Sequence, residues 1–409
     1  MADAPLSGLR VLDLSRILAG PTCAQTLADL GAEVIKVERV GRGDDTRFWG
    51  PPFLKDKTGA ETKESAYYLS ANRGKRSIAV DLAQAEGQAL IRDLAARSDV
   101  LIENFKVGDL ARYGLDYEAL SQHAQGLVYC SITGFGQTGP YRHRAGYDFL
   151  IQGMGGIMSL TGEADGPPLK AGVAVADVVC GLYATVAIQA AIHARARTGR
   201  GQWIDLSLYD TQLAWLINQG QAYLTTGDVP PRRGNMHPTI VPYGTFPASD
   251  QDFILAIGND AQFARFCAVG GCEDLATPAR FATNQARVRG RDELIPLLRQ
   301  VTVTRSSADW ITVLEAEGVP CGPVHDLEQV FGHPLTQARE MVVRLPHPLA
   351  GEVDLIASPI KMSDTPVTYQ GAPPLLGADT KQILTQVLGL SPGQIASLEA
   401  KGVIDTPTT

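Results

Sequence analysis

Short apolar runs alternate with amphipathic stretches through the first half of the chain. Residues 9–14 (LRVLDL), 33–37, 77–82, 99–102, 127–132 and 203–206 are rich in Val, Ile and Leu. That pattern predicts strands buried on both faces. Helical periodicity falls between and after them, at 21–30, 83–97, 174–195 and 209–224, with Pro21 in the first turn of its helix. Strands alternating with helices predict βαβ units on a mostly parallel sheet. The texture changes at 225–242 (TTGDVPPRRGNMHPTIVP), which reads as a linker closing a large domain of 1–224. A smaller α+β region follows over 243–325, with a strand at 253–257 and helices near 261–269, 293–301 and 307–317. A second break is predicted at 318–322 (GVPCG). The tail, 326–409, carries an antiparallel pair at 340–345 and 352–356, then a turn (APPLLG) before C-terminal helices.

Composition narrows the function. The chain is 44% hydrophobic and 20% charged, which supports packed cores rather than disorder. A net charge of −8 argues against nucleic-acid or anionic-membrane partners. The longest apolar stretch, 171–192, is interrupted by Asp177, Gly181, Thr185 and Gln189 and reads as a buried core helix, not a membrane span. The first residues lack a charged and apolar leader pattern, so no secretory signal is read and a cytoplasmic location is expected. Six scattered cysteines show no zinc spacing, so no metal site is expected and the thiols read as reduced.

Three features carry chemistry. Residues 134–139 (GFGQTG) match a dinucleotide fingerprint and follow a strand, but Pro140 and a basic stretch come next rather than a helix start. A glycine-rich turn beside some other ligand is the better reading. Lys36, Arg39, Arg42, Arg47, Arg73, Lys75 and Arg76 fall around the ends of early strands, where α/β folds bind ligands. Asp177 stands among Val and Ala (AGVAVADVVCG), where a carboxylate is costly to bury; an N-terminal helix acid and a catalytic acid both fit.

Taken in order, residues 6–15, 19–21, 30–39, 43–47, 72–78, 103–105, 198–201, 318–323 and 373–377 resemble the class III CoA-transferases, nearly end to end. The resemblance implies a large Rossmann-like domain interrupted by a small domain, with 326–409 returning to the large one, in an interlocked ring-like homodimer. It implies Asp177 as nucleophile, acyl-CoA and a carboxylic acid as substrates, and no tightly bound cofactor. Arg16, Leu18, Arg39, Asn104, Phe105, Arg112 and Arg144 match the family's CoA contacts. Tyr147 and Asp148 match active-site positions, and Gly153, Gly155 and Gly156 are expected to let backbone approach the reacting carbonyl. Related α-methylacyl-CoA racemases carry a His where this chain has Tyr147, and a Tyr is a poor substitute proton carrier. The segments 43–47, 49–53 and 240–243 look most like succinyl-CoA:glutarate enzymes and their dicarboxylate-using relatives. Arg47 and His237 are the expected partners of a distal carboxylate. A racemase and a catalytically silent CoA-binding protein are the alternatives.

Overall fold

The computed structural model describes residues 4–277 and 279–406. The chain forms two compact units. The first takes the described residues of Met1–Ile157, Ala171–Gln221 and Gln337–Thr409, and the second takes Met158–Lys170 and Ala222–Thr336. The described residues of 337–409 group with the first unit, and the second unit is assembled from two excursions of the chain. The short segment is held there by Arg232, which donates to the Glu163 and Gly166 carbonyls, and by the Gly234 N–H on Gly162 O.

The first unit is built on a seven-stranded sheet. Its strands are β1 (Arg10–Asp13), β2 (Glu33–Glu38), β3 (Lys75–Val80), β4 (Val100–Glu103), β5 (Val128–Thr133), β6 (Trp203–Ser207) and β7 (Ile404–Asp405). In space they run β7-β3-β2-β1-β4-β5-β6. All neighbours are parallel except β7, which pairs antiparallel with β3. The period of two along each strand divides the apolar residues between two cores. Val11, Val34, Val100 and Val128 join one cluster, whereas their successors Leu12, Ile35, Leu101 and Tyr129 join the other. The first cluster is covered by helices α1 (Ala19–Asp29) and α4 (Val175–Thr198). The second is covered by α2 (Ala85–Ala95) and by Ile383, Leu384, Ile395 and Val403 of the returning tail. Between them in sequence comes α3 (Asp148–Met154).

The apolar run at 171–192 is buried on one face only. Ala176, Cys180, Ala184, Ile188 and Ala191 meet the core, and α4 lies so close to α1 that a Cβ on Gly181 would sit 2.6 Å from Ala19 O. The opposite face is apolar too: Val178, Leu182, Tyr183 and Val186 are exposed, the last by 66%. By length and composition α4 could cross a membrane. The helix expected at 209–224 is two, α5 (Leu208–Ala214) and α6 (Ile217–Thr226), with a break where Ile217, the first residue of α6, takes φ +43°.

The second unit has a three-stranded antiparallel sheet with Asp252–Ala256 between Tyr243–Pro247 and Cys321–Pro323. Residues expected as a break thus form an edge strand, a position that tolerates Pro323. Phe246, Phe253, Phe263, Phe266 and Trp310 fill its core.

Most of the early basic residues turn inward. Asp13, Lys36, Glu38, Asp44, Arg47, Glu64 and Lys75 are each no more than 5% exposed and form one connected set. Lys75 donates to Asp13, Asn72 and Pro21 O, while Lys36 donates to Asp44 and Ser15 O. Arg47 donates twice to Glu38, twice to Glu64 and once to Pro374 O, with its guanidinium 3.7 Å from the Tyr68 ring centre. Every guanidinium nitrogen is engaged and the side chain is buried, so Arg47 is not presented to a substrate carboxylate, and the role expected for it is withdrawn. Arg73 is likewise spent on Asp29. Arg47→Ala is therefore expected to lower stability by about 3–5 kcal/mol, because two buried carboxylates lose their partner. Urea unfolding of both proteins checks this; a loss below about 1 kcal/mol would show that the set does not hold this part of the fold.

Candidate active site

In the sheet, β1 neighbours β2 on one side and β4 on the other, so the loops leaving β1 and β4 diverge to opposite sides. This is the switch point at which open α/β sheets bind ligands. A cleft of about 210 Å³ opens there. Its walls are residues 16–19 after β1, 104–107 after β4, Thr133 and Gly134 at the end of β5, and 142–147; Asp177 also lines it.

The loop after β1 is held under strain. Ile17 has φ +73°, a conformation that a β-branched side chain disfavours. It is kept there from both sides. The Asp44 carboxylate accepts the Ile17 N–H, while Asn104 accepts the Arg16 N–H and donates to the Arg16 carbonyl. Asp44 can serve as a fixed anion: burial pushes its carboxyl up, but Lys36 and the Thr46 N–H outweigh that and hold it down to about 2. Asp45 gathers Arg16 at 2.6 Å and Arg39 at 2.7 Å. The glycine-rich turn works by close approach. A Cβ on Gly134 would lie 2.5 Å from Gly146 Cα, so glycine lets residues 142–147 cross the end of β5.

Asp177 lies in the first turn of α4, which has no capping side chain of its own at Ala174. The cap comes from α3 instead. Asp148 accepts the Ala176 N–H at 2.8 Å and a hydrogen bond from Gln152, and Gln152 accepts the Ala171 N–H. Asp148 thus positions the turn that carries Asp177. The Asp177 carboxylate makes no hydrogen bond or ion pair among the described residues. Burial, and then the neighbouring Asp148 charge, push its pKa up to about 7. A helix N-terminus favours an anion, so this rise occurs against the local dipole.

Of the residues expected at the site, Arg16, Leu18, Asn104, Phe105, Arg144, Tyr147 and Asp177 line one cleft. Arg39 and Arg112 do not line it; each pairs with an acid, Asp45 and Asp109 respectively. Gly153, Gly155 and Gly156 are not part of its lining. Gly155 instead accommodates α5, since a Cβ there would meet Gln212 Cγ at 2.4 Å. His237 belongs to the second unit, in a separate pocket. Burial and the Arg291 charge lower its pKa, so it is neutral at pH 7 and offers no cation. Lys106 and Arg142 line the cleft and were missed. Tyr67 is not part of the lining, but its phenol, raised by burial, also feels the charges of Asp177 and Asp148. Lys106, two residues beyond Asn104, was within reach of the sequence; nothing local marks Tyr67.

The model of CoA-transferase family III matches residues 6–380, and the chain belongs to that family. It is 49% identical to succinate–glutarate CoA-transferase of Agrobacterium fabrum, over 94% of this chain and 96% of the relative. It is 41% identical to succinyl-CoA:glutarate CoA-transferase of Mus musculus, over 99% and 91% respectively. Among solved structures, a CAIB/BAIF family protein from Brucella suis superposes with a TM-score of 0.84 at 48% identity, covering 94% of this chain and all of that one. The chain is accordingly an enzyme with CoA-transferase activity.

Because the Asp177 carboxyl is raised, the folded state binds its proton more tightly than the unfolded chain does, and stability falls as pH rises from about 4 to about 7. Asp177→Asn should therefore be more stable than the parent at pH 8, by roughly 2–4 kcal/mol, with less than half of that gain at pH 5. Unfolding titrations at the two pH values check the sign; an equal gain at both would remove the charge from the explanation.

Proposed function

We propose that this enzyme exchanges CoA between succinyl-CoA and a short dicarboxylic acid, glutarate foremost, through a covalent intermediate on Asp177. One observation carries the reading: a partnerless carboxyl with its pKa raised to about 7, in the first turn of α4, lines a cleft at the switch point of the sheet. The relatives named for glutarate support the choice of acid.

The chemistry divides one exchange into easier steps. The Asp177 carboxylate attacks the thioester carbonyl of succinyl-CoA, expelling CoA thiolate and leaving a mixed anhydride. The thiolate then attacks the aspartyl carbonyl, releasing succinate and leaving CoA as a thioester on Asp177. An acceptor carboxylate attacks that thioester, and the same two steps run backwards to give the new acyl-CoA and free Asp177. A carboxylate with a raised pKa is a stronger nucleophile than an ordinary one. The Asp177 N–H, unpaired among the described residues, is a donor for the oxyanion. Arg16, Lys106, Arg142 and Arg144 line the cleft as partners for the anionic CoA. We read the exposed apolar face of α4 as the contact with a second copy in a homodimer.

After incubation with succinyl-CoA alone, intact mass and peptide mapping are expected to show a CoA adduct on the Asp177 peptide. Asp177→Ala is expected to show none and to lose at least about a thousandfold in exchange while still binding CoA. Wild-type turnover in that variant would rule the mechanism out. The rate of adduct formation should climb with pH through about 7 and level off above it, as a carboxylate nucleophile requires. A profile falling across the same range points to a different attacking group. Sedimentation is expected to give a dimer, and a monomer would leave the α4 face unexplained.

A further inference from the structure

In the second unit, helix α7 (Asp260–Gly270) ends in a way that brings two thiols together. Gly271 takes φ +62°, the left-handed conformation that stops a helix. Its N–H donates to Ala268 O, and the next N–H, that of Cys272, reaches back to Cys267 O at 2.8 Å. This is the Schellman pattern, in which the side chains of the two outermost residues commonly meet. Here both are cysteines. The backbone bond holds their Cα atoms within about 6.7 Å, inside the range that a disulfide spans. Gly270 leaves room for the second sulfur, since a Cβ there would lie 3.3 Å from Cys272 Sγ.

The two thiols differ in their surroundings. Cys267 is fully buried in the core that holds Phe263, Phe266 and Trp310, whereas Cys272 is partly open to solvent. The largest influence on each is the other. A hydrogen bond with Cys267 lowers the Cys272 pKa, against burial and the Glu273 charge, and the same contact, followed by burial, raises Cys267. Cys23, Cys130, Cys180 and Cys321 are all raised by burial, Cys321 to about 11. Oxidants react with thiolates, so Cys272 is the cysteine of this chain set up to react first.

We propose that Cys272 and Cys267 form a peroxide-oxidisable dithiol that closes to a disulfide across the end of α7, with Cys272 attacking and Cys267 resolving. The Cys272 thiolate attacks one oxygen of hydrogen peroxide and the O–O bond breaks. Sulfur is oxidised to a sulfenic acid, and the departing hydroxide takes up a proton as water. The Cys267 sulfur then attacks the sulfenic sulfur. The S–O bond breaks, and a second water leaves with the Cys267 proton. Two thiols and one peroxide thus give one disulfide and two waters, and a dithiol reductant reverses the change by exchange. The site lies wholly within the second unit and does not depend on the chemistry at Asp177.

The test uses the whole protein, reduced and then freed of reductant. Treatment with hydrogen peroxide is expected to lower its intact mass by about 2 Da, for the two hydrogens removed, and dithiothreitol to restore it. Peptide mapping should show Cys267 joined to Cys272 and the other cysteines still free. Iodoacetamide should label Cys272 of the reduced protein at least about tenfold faster than Cys321. Cys267→Ser removes the resolving thiol and is expected to leave a sulfenic acid on Cys272 that dimedone captures. Cys272→Ser should give neither product. Oxygen added to Cys272 of the parent without a link to Cys267, or oxidation of Cys321 ahead of Cys272, overturns the proposal. So does a parent that peroxide leaves with both thiols free. These outcomes are read on the parent, so they decide the matter even if either variant fails to fold.

Discussion

Three cations and four carboxylates lie sealed beneath the ends of β1, β2 and β3, and the ligand-binding end of the first unit is organised around them. Ions placed there lose their water, and only near-complete mutual satisfaction makes this tolerable. The strain of that bargain shows in Lys75, which burial depresses to about 8 even with Asp13 beside it. What the set provides is position. Lys36 fixes Asp44, Asp44 holds Ile17 in its disfavoured conformation, and the adjoining Asp45 collects Arg16 and Arg39. A wholly apolar core could fill the same volume but could not hand a fixed anion to a backbone N–H at the edge of the cleft.

Asp177, the nucleophile of the proposed mechanism, is set by a different device. α4 begins without a cap, and Asp148 supplies one from α3 while leaving its own charge close to Asp177. One residue thereby orients the turn and raises the basicity of the group it orients. The small residues along the inner face of α4 complete the arrangement, because Gly181 allows α1 to lie against it and brings the loop after β1 towards the same cleft.

Much of this was legible in the sequence. All six parallel strands were readable from short apolar runs, and all but the edge strand β6 are buried along nearly their whole length. The hairpin Phe53–Lys55 with Glu61–Ser65 was not, since its residues are mostly polar and little buried. Asp177 stood out as a lone acid in apolar surroundings, and its cleft partners came from the family resemblance. Arg47 misled for a physical reason: a guanidinium at a strand end looks the same in sequence whether it faces a ligand or two buried glutamates. His237 lines a pocket of the second unit, where burial and the Arg291 charge lower its pKa.

The returning tail also constrains how the protein is made. Arg47 donates to Pro374 O, Ser77 receives Gly377 and Asp379 N–H groups, and Ile383, Leu384, Ile395 and Val403 cover one face of the sheet. A ribosome delivers β1 to β6 nearly two hundred residues before that cover emerges. Throughout that interval the cluster containing Leu12, Ile35, Ile78 and Leu101 lacks its tail members, and one donor of Arg47 lacks its acceptor. The first unit therefore reaches its native core only after translation has passed through the whole of the second.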